Sequence, residues 1–140
     1  MNKEQFLAMS LPHELKFMVN ETKKIFQLNS NHIYNNHTGI YKGLDENCKI
    51  ILYNLSDLTK PITHKGETFI LIDKILESGG FNLSKMSRQE INSYAKPFLM
   101  PELISLDDAL ILIEHHFDIA GLIEKGEAID VNTLEINPYK

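Results

Sequence analysis

The sequence predicts an α+β fold, in which a small antiparallel sheet built from N-terminal and central hairpins packs against a long C-terminal helix. Short β-branched runs bounded by turn residues fill the first half of the chain. Serine caps at Ser87 and Ser105, and an apolar helical period from Leu106 to about Lys125, mark the last third as helical. Strands first and helices after is the α+β order. At 140 residues, 43% hydrophobic and 24% charged, the chain has the length and composition of a single domain spanning residues 1–140.

Each element has its own local reason. "NKEQFLAM" opens with one or two helical turns that Asn2 is placed to cap. In "LKFMVNETKKIFQL", Asn20–Lys23 separates two apolar-rich runs, the pattern of a β-hairpin. "NSNHIYNNHTGIYKGLDEN" is polar, rich in Asn and Gly, and carries the weakest signal of order. "CKIILY" has the β-branched content and length of a buried strand. Ser56 or Asp57 then caps a turn, "SDLTK", that ends before Pro61. "ITHKGETFILI" reads as a hairpin with Lys65-Gly66 at its tip, the glycine supplying a positive φ. "DKILESGG" gives a short helix from Asp73, closed by Gly79.

Ser87 to Glu90 is a capping box, and its helix ends before Pro97. Ser105 with Asp108 opens the long helix, which the sequence predicts to continue to about Lys125 with Gly126 as a left-handed cap. The tail "EAIDVNTLEINPYK" reads as extended or irregular.

The net charge of −5 is unevenly distributed. Residues 101–140 carry nine acids against Lys125 and Lys140, a net of −7, and residues 1–100 a net of +2. An acidic end repels phosphate and attracts basic surfaces, which argues against that end touching nucleic acid. One cysteine, Cys48, excludes an internal disulfide and a thiolate zinc cluster, and reads as a small buried apolar residue beside "KIILY". No apolar run reaches membrane-spanning length, and the N-terminus lacks the pattern of a signal peptide. The expected location is therefore the cytoplasm. No cofactor-binding motif is present: "SGG" follows a helix instead of opening one, and no nucleophile elbow occurs.

Projected at about 100° per residue, the last helix places Leu106, Ala109, Leu110, Leu112, Ile113 and Phe117 on one broad apolar arc, with His116 inside it. His116 is thus expected to be a core histidine with a hydrogen-bond partner. His115 falls on the opposite face near Asp107, Glu114 and Asp118. These four residues, Asp107, Glu114, His115 and Asp118, are the candidate surface for a protein partner with a basic face. The same His115 and Asp118 are the candidate acid/base or metal pair of an alternative reading, a small metal-dependent hydrolase. The spacing is not H-E-x-x-H, and adjacent histidines on a helix diverge by about 100°. His32, His37 and His64 read as exposed loop histidines. A third reading is a nucleic-acid-binding accessory protein using Lys16, Lys23 and Lys24, with Phe17, Phe26 and Tyr34 nearby. The presence of one arginine, Arg88, in the whole chain speaks against it.

"MNKEQFLAMSLPHELKF", "LYNLSDLTKPITHKGETFILIDKI" and "HHFDIAGLIEKGEAIDVNTLEINPYK" together resemble a family of small proteins that recurs in phages and prophages of the bacterial phylum that includes common gut anaerobes. The resemblance covers roughly half the chain; residues 29–48 lie outside it and would be the variable part. It carries over no catalytic residue. What it implies is context: an intracellular phage or mobile-element protein of a kind often made to bind a host or defence protein, such as a CRISPR effector. The leading expectation is therefore a non-enzymatic interaction protein.

Overall fold

In a computed structural model, which describes residues 1–28 and 47–140, six short strands and four short helices surround one apolar core. The expectations for His32, His37, Tyr34 and the Asn- and Gly-rich stretch lie outside the described residues.

Helix α1, Lys3–Ser10, starts with a reciprocal cap: Asn2 Oδ1 accepts from Gln5 N at 2.9 Å, and Gln5 Oε1 accepts from Asn2 N at 3.0 Å. Strands β1, Lys16–Val19, and β2, Ile25–Gln27, form the N-terminal hairpin with Phe17 opposite Phe26. Lys23 takes the left-handed turn position at φ 59°. Strand β3, Cys48–Leu52, pairs antiparallel with the other edge of β1. Ile50, Ile51 and Leu52 are all fully buried, so both faces of the second half of β3 are covered, as the unbroken apolar run from Ile50 requires.

The tail, expected to be extended or irregular, is extended at Ala128–Asp130 and adds a strand to the sheet. β6, Ala128–Asp130, pairs parallel with β3, giving the order β2-β1-β3-β6. The sheet is therefore mixed and not purely antiparallel. A parallel neighbour needs a crossover, and the whole segment from Tyr53 to Glu127 supplies it. The central hairpin, β4 (Pro61–His64) and β5 (Glu67–Ile70), forms a separate two-stranded sheet, with Lys65 and Gly66 both at positive φ.

Helix α2 spans Leu71–Ser78, beginning two residues before Asp73, and is closed by Gly79 as expected, with the left-handed Gly80, φ 89°, following it. The turn before β4 is capped by Asn54, whose side chain accepts from Ser56 N, and not by Ser56 or Asp57. Helix α3, Arg88–Ser93, is capped by Ser87 Oγ on Glu90 N, and α4, Leu106–Glu114, by Ser105 Oγ on Asp108 N. α1 packs against α4, and α2 against α3 and the 55–59 turn. Among the described residues no helix is long and apolar enough to cross a membrane.

The largest correction concerns α4, which stops at Glu114 instead of continuing to Lys125. Phe117 N donates to Leu112 O at 2.9 Å and His116 N to Ile113 O at 3.0 Å, with His116 left-handed at φ 63°. That pair of bonds is a Schellman motif with histidine in the position glycine usually takes. The chain then joins the end of β3: Tyr53 N donates to His116 O and Asp118 N to Tyr53 O. Asp118 opens a separate turn, and Gly126, left-handed at φ 75° as expected, ends that turn and not the long helix it was expected to cap. One predicted helix is thus one short helix, a strand-like bridge and a turn.

Candidate functional site

The break at His116 redistributes the residues singled out by helical projection. Asp118 is buried, and its two carboxylate oxygens accept from Leu122 N at 2.9 Å and Ile123 N at 2.8 Å. It is a turn cap, not a member of an exposed acidic face, because the helix that would have displayed it has already ended. His115 is half-buried, not outward: its Nδ1–H donates to Ile111 O at 2.8 Å and its ring meets the edge of Phe69 at 5.5 Å. The His115/Asp118 acid/base pair is therefore not assembled, since each group is committed to backbone of its own segment. Among the described residues no three His, Cys, Asp or Glu side chains are placed to hold a metal ion.

His116 is buried, as expected for a core histidine, and its Nε2 lies 2.5 Å from His13 O. A carbonyl only accepts, so Nε2 carries the proton and Nδ1 is left with its lone pair, without a hydrogen-bond partner. The ring stacks on Tyr139 with centroids 4.0 Å apart. His64 ends β4 and is also buried, contrary to the exposed-loop expectation, because the C-terminal tail and the end of α4 close over it. Its centroid lies 5.3 Å from His115 and 5.2 Å from His116, and its Nδ1 is unpartnered. Three imidazoles from β4 and the end of α4 thus share one apolar, aromatic nest.

Burial pushes the His64 pKa down to about 4, helped by His115, Lys65 and Lys74 and opposed by Glu114. Burial pushes that of His116 to about 3, against the effect of its bond to His13 O, with His64 and His115 adding to the depression. Both rings are neutral at pH 7. The tail locks over them: Tyr139 Oη donates to Ile51 O at 2.6 Å and accepts from Lys16 N at 2.9 Å. Asn137 Nδ2 donates to Tyr53 Oη at 2.7 Å, and Lys65 N donates to Tyr139 O at 2.8 Å. Sequence reasoning missed His64, Asn137 and Tyr139 because they come from two segments that nothing local places beside "EHHFD".

The acidic surface survives in reduced form. Asp107 and Glu114 are exposed on α4, and Asp108 is half-buried. Leu106 is 69% and Leu110 45% exposed on the same helix, and the neighbouring Leu99, Met100 and Leu103 are 55–66% exposed. The projection assigned Leu106 and Leu110 to the core arc. With the helix ending at Glu114, its buried face instead centres on Leu112 and Ile113, leaving Leu106 and Leu110 outside. Leu106, Leu110 and Glu114 follow at four-residue intervals and form one outward stripe, with Asp107 beside it.

The candidate nucleic-acid lysines do not form one cluster on the hairpin. Lys16 lies half-buried at the end of β1 opposite Gln27, while Lys23 and Lys24 are exposed at the turn end. Phe26 is exposed at 46%, and Phe17, which stacks on it at 5.8 Å, is buried. Cys48 is half-buried at the start of β3, not fully buried as expected, and burial raises its thiol pKa. Neither a protein-family model, nor a curated protein, nor a solved structure matches the chain.

Proposed function

We propose that the protein is a non-enzymatic interaction protein that binds a protein partner through the outward face of α4. Leu103, Leu106 and Leu110 would cover apolar surface on the partner, and Asp107 and Glu114 would meet its lysines and arginines. The observation that carries this reading is the juxtaposition on α4 of large exposed apolar side chains and exposed carboxylates. Contiguous exposed apolar side chains bordered by charge are a feature of interfaces, since the same residues in a non-binding surface favour aggregation. The excess of acid over base in residues 101–140 supplies long-range attraction to a basic partner. The resemblance to phage and prophage proteins supports the partner's class: a host or defence protein, bound in the manner of an anti-CRISPR inhibitor.

The test is affinity purification from infected cells with the wild-type chain and the variant Asp107→Lys/Glu114→Lys. Both positions are exposed, so the variant should unfold at the wild-type urea midpoint. The expected result is a partner captured by wild type and lost by the variant. Capture of the same partner by both overturns the reading.

A further inference from the structure

The histidine nest is closed by three walls that are not equally held. The end of α4 is fixed by its Schellman bonds and by the bridge to Tyr53, and β4 by its pairing with β5. The third wall is the end of the chain. After the turn at Val131–Thr133 no residue is buried until Tyr139, and residues 134–140 lie in no helix or strand. Among the described residues, their hydrogen bonds beyond the preceding turn gather at two positions. Asn137 reaches Tyr53 and Thr63, and Tyr139 reaches Lys16, Ile51 and Lys65. A segment held at two points opens at a lower free energy than the packed core beneath it.

Beneath it lie two polar atoms without partners, Nδ1 of His64 and Nδ1 of His116. The Tyr139 ring covers both, its centroid 4.0 Å from that of His116 and 6.2 Å from that of His64. A buried nitrogen left unbonded costs free energy that contact with water returns, and a protonated ring costs more still in an apolar nest. The charged and titratable groups around the pair do not stabilise a proton there. Lys65 follows His64, Lys74 comes from α2 and Lys16 from β1; Tyr53 follows β3, and His115 adjoins both rings. His13 and Glu14 come from the N-terminal segment, Glu67 from β5, Glu114 from α4 and the exposed Lys140 from the chain end. Glu14 is paired with Lys65 and Glu67 with Lys74, and among the described residues neither ring is ion-paired.

We propose that residues 134–140 form a proton-released latch: uptake of protons by His64 and His116 lifts this segment off the nest while the sheet and the helices stay folded. The latch is independent of the interaction surface on α4.

The amides of Lys16 and Lys65 report the latch, because each donates to Tyr139, and the amides of β3 report the sheet. Hydrogen exchange, corrected for the intrinsic rate at each pH, gives an opening constant for each. On opening, the two rings move from about 4 and about 3 to the ordinary 6.5. The constant at Lys16 and Lys65 should therefore rise about 20-fold per ring between pH 7 and pH 5, about 500-fold together. At pH 5 it should exceed that of the β3 amides about tenfold or more. It should also change little in low urea, unlike theirs, since a small opening exposes little surface. His64→Gln keeps the stack of His116 on Tyr139 and should cut the rise to about 20-fold. Opening constants and urea slopes at Lys16 and Lys65 equal to those of β3 would mean that only the whole chain opens, and overturn the latch. A wild-type rise below about fivefold, or an undiminished rise in His64→Gln, overturns it as well. If His64→Gln does not fold, the wild-type pH and urea series decides alone.

Discussion

Acidification from pH 7 to pH 5 should destabilise this protein through two buried histidines. Unfolded, His64 and His116 each titrate near 6.5; in the native nest they titrate near 4 and 3. Below pH 6.5 the unfolded chain therefore binds more protons than the native one, and stability falls as pH falls. The loss flattens only once the pH has passed the native values. At pH 5 both native rings are still neutral, so each contributes a loss of about 2 kcal/mol relative to pH 7, about 4 kcal/mol together. That is a large share of the 5–15 kcal/mol typical of a domain. The groups around the rings do not supply a compensating anion: Glu14 pairs with Lys65 at 3.2 Å, Glu67 pairs with Lys74 at 3.3 Å, and the effect of Glu114 is outweighed by burial. The assay is urea unfolding at constant ionic strength, in half-unit steps of pH, for wild type and His64→Gln/His116→Asn. Asparagine tolerates the left-handed backbone at position 116, so the variant keeps its chain path while losing both titrations. Whatever its starting stability, its loss between pH 7 and pH 5 should be smaller by about 4 kcal/mol. Parallel slopes for the two proteins, or an NMR titration of His116 with a midpoint near 6.5, would refute the reasoning.

Three further outcomes follow from single contacts. Asp118→Ala removes the acceptor of one buried and one part-buried backbone N–H and should lower stability by about 3 kcal/mol in urea unfolding; a change below about 1 kcal/mol would show that the 118–123 turn holds itself. Tyr139→Phe strips the hydroxyl that joins Ile51 O and Lys16 N, and should cost about 2 kcal/mol by the same measurement, with faster amide exchange at the end of β1. Gly66→Ala should cost about 1 kcal/mol from backbone strain alone, since φ is 82° and nothing lies within 4 Å of the added carbon.

Elements whose cause is local were legible in the chain. The Asn2, Ser87 and Ser105 caps, the Lys65-Gly66 tip and the apolar Ile50–Leu52 run of β3 each depend on residues within a few positions of one another. What failed depends on distant partners. Ala128–Asp130, readable as extended, becomes a sheet strand because β3 offers it an edge, and its own residues do not name that partner. The 106–123 stretch keeps helical periodicity throughout, and periodicity cannot register that Tyr53 captures residues 116–118 as a bridge. The same error moved Asp118 onto a surface and Leu106 into the core. For the candidate site, Asp107 and Glu114 stood where the projection put them, because they precede the break.

The two adjacent histidines illustrate how one backbone angle decides side-chain company. On a continuous helix they would diverge by about 100° and face different surroundings. The left-handed turn at His116 instead brings both rings within 5.3 Å of His64. Histidine accepts that conformation more readily than most residues, though glycine would adopt it with less strain. What glycine lacks is the ring that stacks on Tyr139 and donates to His13 O, so position 116 closes the helix and ties the N-terminal segment to the C-terminal tail at once. The two roles separate experimentally. His116→Gly should preserve the helix end, as seen in the amide shifts of residues 112–117, while loosening residues 137–139 and 13–16. A variant that frayed α4 but left the tail protected would reverse that assignment.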